Sequence, residues 1–152
     1  MKKLFIIIIA CTCFTTDALC QLPYRPLSEF NGDKGAYLKY NFEEREDLFK
    51  GNTFAYLLSS SELPPTGHVR VMATSKNDNN TYMVGIYLFF SRNFPTDFNP
   101  FKDDYLTIYW ETPFTFDDLQ ILEKQFPANQ WVPEHFNYFK DKKIKMIRYR
   151  IM

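Results

Sequence analysis

Tyr82-Met83-Val84-Gly85-Ile86-Tyr87-Leu88-Phe89-Phe90 and, beyond a polar stretch with two prolines, Tyr105-Leu106-Thr107-Ile108-Tyr109-Trp110-Glu111 are the segments on which the fold turns. Both are rich in aromatic and β-branched residues and both alternate with a period of two, so each is predicted to be a strand with two chemically different faces. One face would carry Tyr82, Val84, Ile86, Leu88 and Phe90 beside Leu106, Ile108 and Trp110, a mainly aliphatic set suited to packing against helices. The other would carry Met83, Gly85, Tyr87 and Phe89 beside Tyr105, Thr107, Tyr109 and Glu111, which is a layer of rings with hydroxyls and one carboxylate.

Working outward, Val69 to Thr74 reads as a further strand, joined to Tyr82 by the polar turn Ser75 to Asn80 in an antiparallel hairpin. Pro113 is expected to stop the strand that starts at Tyr105. Lys143 to Ile151 reads as the last strand. Ile144 and Met146 there share a phase that Ile147, Tyr149 and Ile151 do not, which predicts a bulge near Met146 and Ile147.

Helices flank the strands. Asp33 is placed as an N-cap, Leu38, Phe42, Arg45 and Phe49 follow a helical period, and Gly51 stands where a C-terminal cap belongs. A second helix should start at Thr53 with Phe54, Leu57 and Leu58 inward, and end before Pro64. Thr115 is the expected N-cap of a helix with acids in its first turn and Leu119, Leu122 and Phe126 on one face, stopped by Pro127. Pro133 opens a last helix, Glu134 to Lys140, anchored by Phe136 and Phe139. The order ααβββααβ predicts a two-layer α+β domain with a mainly antiparallel sheet of about four strands.

The front of the chain reads as an export signal over residues 1–20. Lys2 and Lys3 precede the apolar run Leu4 to Ala10, which is far short of the ~20 residues a spanning helix needs, and polarity returns at Thr12, Thr15, Thr16 and Asp17. Cleavage before Gln21 and lipidation at Cys20 or Cys11 are the two readings, with plain cleavage favoured. Residues 21–32 form an extended lead-in with Pro23 and Pro26, and residues 33–152 the single domain. Cys11, Cys13 and Cys20 all lie in the signal, so the exported domain would hold no disulfide and no zinc–thiolate site.

Charge is balanced, with 18 basic and 18 acidic residues, so no global field favours nucleic acid or an anionic membrane. Composition departs from the ordinary in its aromatics: 16 Phe, ten Tyr and two Trp make 18 % of the chain. That is enough to build a core from large rings.

The catalytic inventory is short. No Gly-rich phosphate loop, nucleophile elbow or metal-ligand spacing is present, and neither a catalytic residue, a metal nor a cofactor is assigned. His68 and His135 are the two histidines. Glu111, at a strand end beside Trp110, is the carboxylate that burial could turn into a general acid, and a small hydrolase using Glu111 with His68 or His135 is one reading.

The favoured reading is a binding module for a protein or glycan of the cell envelope. Its candidate residues are Tyr87, Phe89, Tyr105, Tyr109 and Glu111 on the ring-rich sheet face, and Phe94, Phe98 and Phe101 in the loop Asn93 to Phe101. Each has an ordinary alternative, in which the face is a second core layer and Phe94 and Phe101 plug the sheet edge. The lysines and arginines of the last strand read as a solvated edge, or as an anion-binding stripe. A third functional reading is an envelope subunit whose sheet edge pairs with another chain.

Glu44 to Gly51, Leu57-Leu58 with Glu62-Leu63-Pro64, and Ile108-Tyr109-Trp110-Glu111-Thr112-Pro113 together resemble small exported proteins of gut Bacteroides-type bacteria known only as hypothetical. The resemblance spans most of the exported chain. Once the signal is removed the chain is expected to be periplasmic or secreted, without a transmembrane helix, and the resemblance brings no catalytic residue to transfer.

Overall fold

A computed structural model describes residues 21–90 and 104–150; the expected export segment and the loop residues Phe94, Phe98 and Phe101 lie outside them. Four strands form one antiparallel sheet in sequential order: β1 (Gly67–Thr74), β2 (Thr81–Phe89), β3 (Tyr105–Phe114) and β4 (Ile144–Tyr149). Helices α1 (Lys34–Leu38) and α2 (Phe54–Ser59) precede the sheet, and α3 (Asp117–Gln125) and α4 (Pro133–Phe139) lie between β3 and β4. The expected α+β architecture and element order are therefore present.

The helices pack on one sheet face. Tyr37, Leu38, Phe54, Leu57, Leu119 and Phe139 meet Ile86, Leu88, Leu106, Ile108, Trp110 and Ile147 in one buried cluster. Rings fill much of it, as composition required: Trp110 stacks on Phe139 at 5.7 Å between ring centres, and Phe54 meets both rings edge-on at 5.8 and 6.1 Å.

Strict alternation in β2 and β3 fails at one place. Gly85 pairs with Tyr109, but Met83 pairs with Phe114, so β3 carries extra residues opposite Val84. The irregularity reverses the phase of β2: Met83 enters the helix-facing core, while Tyr82 and Val84, expected there, do not. It also carries β3 past Pro113, which sits in the irregular stretch where its missing N–H breaks no regular ladder. Gly85 is required nearby, since a Cβ would run into the backbone carbonyl of Ile108. A second register shift sets Tyr109 against Met146 and Trp110 against Ile144, leaving Lys145 extra. The bulge expected in β4 is thus present slightly upstream of Met146–Ile147, and it turns both Ile144 and Ile147 inward.

Between Asp33 and Gly51 one long helix was expected, and the chain instead changes helix type twice. Asp33 caps α1 by accepting the N–H of Ala36 at 2.9 Å; a π-helical turn follows over Lys39–Glu43 and a 3₁₀ turn over Glu46–Leu48. The wider π turn brings Asn41 and Phe42 inward together. Gly51 has φ +75° and donates its N–H to Ile144 O at 2.8 Å, which joins this region to the outer edge of β4. Thr53 caps α2 as expected, accepting from Tyr56 N–H at 3.3 Å. Thr115 does not cap α3; the N-cap position is Phe116 and makes no side-chain hydrogen bond.

Candidate functional site

The ring-rich face of the sheet divides. Phe89 and Tyr105 are 0 % exposed and present no surface to a ligand, with rings 5.5 Å apart. Tyr87 and Tyr109 are half-buried and Glu111 is exposed. Tyr109 and Glu111 line a small recess of about 150 Å³ with Val84, Trp110, Pro113 and Lys145. Part of this face is therefore the second layer that alternation allowed for, and burial, followed by the neighbouring Tyr109 and Tyr105, raises the Tyr87 pKa.

A larger recess, about 370 Å³, lies between the lead-in and α2, lined by Tyr24, Arg45, Leu48, Phe49, Tyr56, Ser59 to Ser61 and Glu62. Its position follows from how residues 21–26 are held. Asn41, buried in the π turn, accepts the N–H of Arg25 at 3.1 Å and donates to the Arg25 carbonyl at 2.8 Å. Arg45 donates to Leu22 O at 2.8 Å and to Asn41 Oδ1 at 3.2 Å, with its guanidinium 5.7 Å from the centre of the Tyr24 ring.

Glu62 closes the clamp from the other side. Its carboxylate accepts the Tyr24 hydroxyl and the Leu27 N–H at 2.5 and 3.1 Å, and its own N–H is given to Tyr37 Oη at 2.9 Å. Because the Tyr24 proton goes to Glu62, the 3.3 Å contact between the two tyrosine hydroxyls has Tyr37 donating. Burial, then the bonds to Glu62 and Tyr37, raise the Tyr24 pKa and keep this hydroxyl protonated.

The walls of the recess are chemically consistent. Tyr24 and Tyr56 are 40 % and 47 % exposed and offer ring surface. The hydroxyls of Ser59 and Ser60 both donate to Tyr56 O, at 2.8 and 3.1 Å, and Ser61 donates to Leu63 O at 2.8 Å. Their protons are thus committed to the backbone, and Ser61 Oγ also accepts the Leu63 N–H at 3.1 Å, which leaves the Ser59 and Ser60 oxygens as acceptors. Arg45 and Glu62 cancel in charge. The site is uncharged overall, aromatic at its rims and rich in acceptors, with a guanidinium as donor.

The histidines occupy a different place. Both are fully buried on the helix-facing side of the sheet, with rings 4.8 Å apart, and Trp131 is 5.8 Å from each. His68 Nε2 bonds Glu123 Oε1 at 2.9 Å, and His135 Nε2 bonds Phe126 O at 2.9 Å. Glu123 also meets Arg70 at 3.5 Å. Among the described residues no hydrogen bond or ion pair joins Glu111 to either histidine; the carboxylate beside His68 is Glu123. Burial works against that carboxylate's charge, but the bond from His68 and the charge of Arg70 hold its pKa below the ordinary range. Burial and the neighbouring His68 hold the His135 pKa down.

Among the described residues no group of three or more His, Cys, Asp or Glu side chains could hold a metal ion, and no helix is long and apolar enough to cross a membrane. Comparison of the chain with protein-family models, with curated proteins and with solved structures finds no match in any of the three.

The sheet alternation led to Tyr87, Tyr109 and Glu111 but not to the recess beside α2. Its residues come from the lead-in, a 3₁₀ turn and a helix end, which no single periodicity links. Two signals were available: the tyrosine at position 24 in an otherwise polar and Pro-rich segment, and the run Ser59-Ser60-Ser61-Glu62 directly after a helix.

Proposed function

We propose that the protein is an exported, non-enzymatic module that binds a glycan in the recess between the lead-in and α2. The observation that carries the reading is that two exposed rings, Tyr24 and Tyr56, line a charge-balanced recess together with Ser59 and Ser60, whose hydroxyl protons are taken up by Tyr56 O. A pyranose has apolar C–H faces that stack on such rings and hydroxyls that donate to such acceptors, and the Arg45 guanidinium supplies donors in return. A strongly charged ligand would find no matching field there. Export, with residues 1–20 as the signal, supplies the setting in which envelope or environmental glycans are met.

The test is retention on an array of host, plant and bacterial-envelope glycans by protein purified from producing cells, followed by calorimetric titration of a retained glycan. Tyr56 makes no hydrogen bond through its hydroxyl among the described residues, so Tyr56→Ala leaves the clamp on the lead-in intact. It is expected to weaken binding roughly tenfold, the equivalent of ~1.4 kcal/mol for one lost stacking surface. Failure to retain any glycan, or retention unchanged in Tyr56→Ala, disproves the assignment.

A further inference from the structure

We infer that the buried His68–His135 pair is an acid-operated latch that holds the α3–α4 layer, through residues 126–131, onto the start of β1. The segment is fastened there by few bonds. His68 donates its backbone N–H to Ala128 O at 2.9 Å and Trp131 donates to Thr66 O at 3.0 Å. Beside them His68 Nε2 joins β1 to Glu123 of α3 at 2.9 Å, and His135 of α4 holds Phe126 O, at the start of the segment, at 2.9 Å.

The partners fix the tautomers. A carbonyl and a carboxylate both accept, so each ring carries its proton on Nε2 and, when neutral, an unprotonated Nδ1. Both Nδ1 atoms are buried and have no hydrogen-bond partner. The closed arrangement therefore suits two neutral rings.

His135 has no carboxylate within hydrogen-bond reach of its ring, because Glu123 is engaged by His68 Nε2. The charged groups around the pair are Arg70 from β1 and Glu123 from α3, and Arg70 already takes up Glu123 Oε2 at 3.5 Å. Tyr138 of α4 contributes a neutral phenol, held protonated by burial and then by the field of Asp118, Glu123 and Asp117. Trp131 and Phe139 supply only ring surface, at 5.8 and 5.3 Å from His68. Two protonated rings thus set three cations against one carboxylate in a buried space, where burial and the neighbouring His68 outweigh the backbone oxygens of Phe126 and Gln130 that favour a charged His135. Water relieves this only if residues 126–131 lift from β1. The open state then binds more protons than the closed one, and acid favours opening.

Amide hydrogen exchange of the full chain, corrected for the intrinsic pH dependence of the rate, reads the latch directly. Between pH 7.5 and pH 5.0 the protection of residues 126–131 is expected to fall at least tenfold while that of the central β2–β3 ladder is unchanged. Replacing the ring in His135→Phe should remove most of that response. Glu123→Gln removes the one carboxylate set against the rings and Arg70, so its release should begin at a higher pH than in the parent. Equal protection of residues 126–131 at both pH values, or a full parental response in His135→Phe, overturns the latch. Should that variant not fold, proton NMR of the parent decides. A His135 ring that titrates at or above pH 6.5 with the segment still closed is equally fatal to it.

Discussion

Asn41 shows how one buried amide positions the candidate site. It is 1 % exposed, and its Oδ1 and Nδ2 bond the N–H and C=O of Arg25 at 3.1 and 2.8 Å, as a neighbouring strand would. An amide at a helical position reads from sequence as surface, because Asn favours turns and caps over helix interiors. Here the π turn makes the difference by bringing residue 41 round to the buried side. Asn41→Leu keeps the volume but strands two backbone groups of the lead-in, so it should cost about 1–3 kcal/mol. Limited proteolysis should then cut near residues 21–26 in the variant and not in the parent. An unchanged cleavage pattern would mean that Arg45 and Glu62 alone hold the lead-in.

At the scale of elements, the outer edge of β4 is closed by a side chain. Glu46, in the 3₁₀ turn, accepts the Ile147 N–H at 3.3 Å and the Arg148 guanidinium at 2.7 Å and lies 3.1 Å from Lys50 Nζ. Burial opposes its charge, but the bonds from Lys50, Ile147 and Arg148 hold its pKa below the ordinary value. Glu46→Ala should lower stability by about 1–3 kcal/mol, read from the denaturant midpoint at unchanged slope. It also bares a β-edge, so concentration-dependent association is expected to accompany the loss.

Elements governed by local rules were legible: the Asp33 and Thr53 caps, Pro133 at a helix start, and strands marked by alternating rings. Features that depend on contacts distant in sequence were not. The phase reversal at Gly85 and the continuation of β3 through Pro113 arise from pairing between strands, and the π turn from what Phe42 and Asn41 pack against. For the same reason alternation could place Phe89 and Tyr105 on the face opposite the helices without showing that both are buried.

Taken whole, the molecule has shifted groups on both sides of neutrality, and their signs agree on how its stability varies with pH. His135 has its folded pKa below the ordinary 6.5, so the unfolded chain binds the proton first and stability falls as pH drops below about 6.5. Glu46 and Glu123 are held below 4.5, so their contributions, complete above that value, are lost as pH falls further through their folded values. On the alkaline side Tyr24, Tyr138 and Tyr149 are raised above 10.0, in each case first by burial. Their folded forms keep a proton that the unfolded chain releases, so stability declines once pH exceeds about 10. The guanidinium midpoint should therefore be flat between about pH 7 and 9.5, with an acid limb in two stages and an alkaline limb in one. In His135→Phe the upper acid stage should vanish while the lower stage, set by the carboxylates, stays in place. A midpoint that rises on going from pH 7 to pH 5 would contradict the direction assigned to His135 and, with it, the balance of charge in the buried cluster.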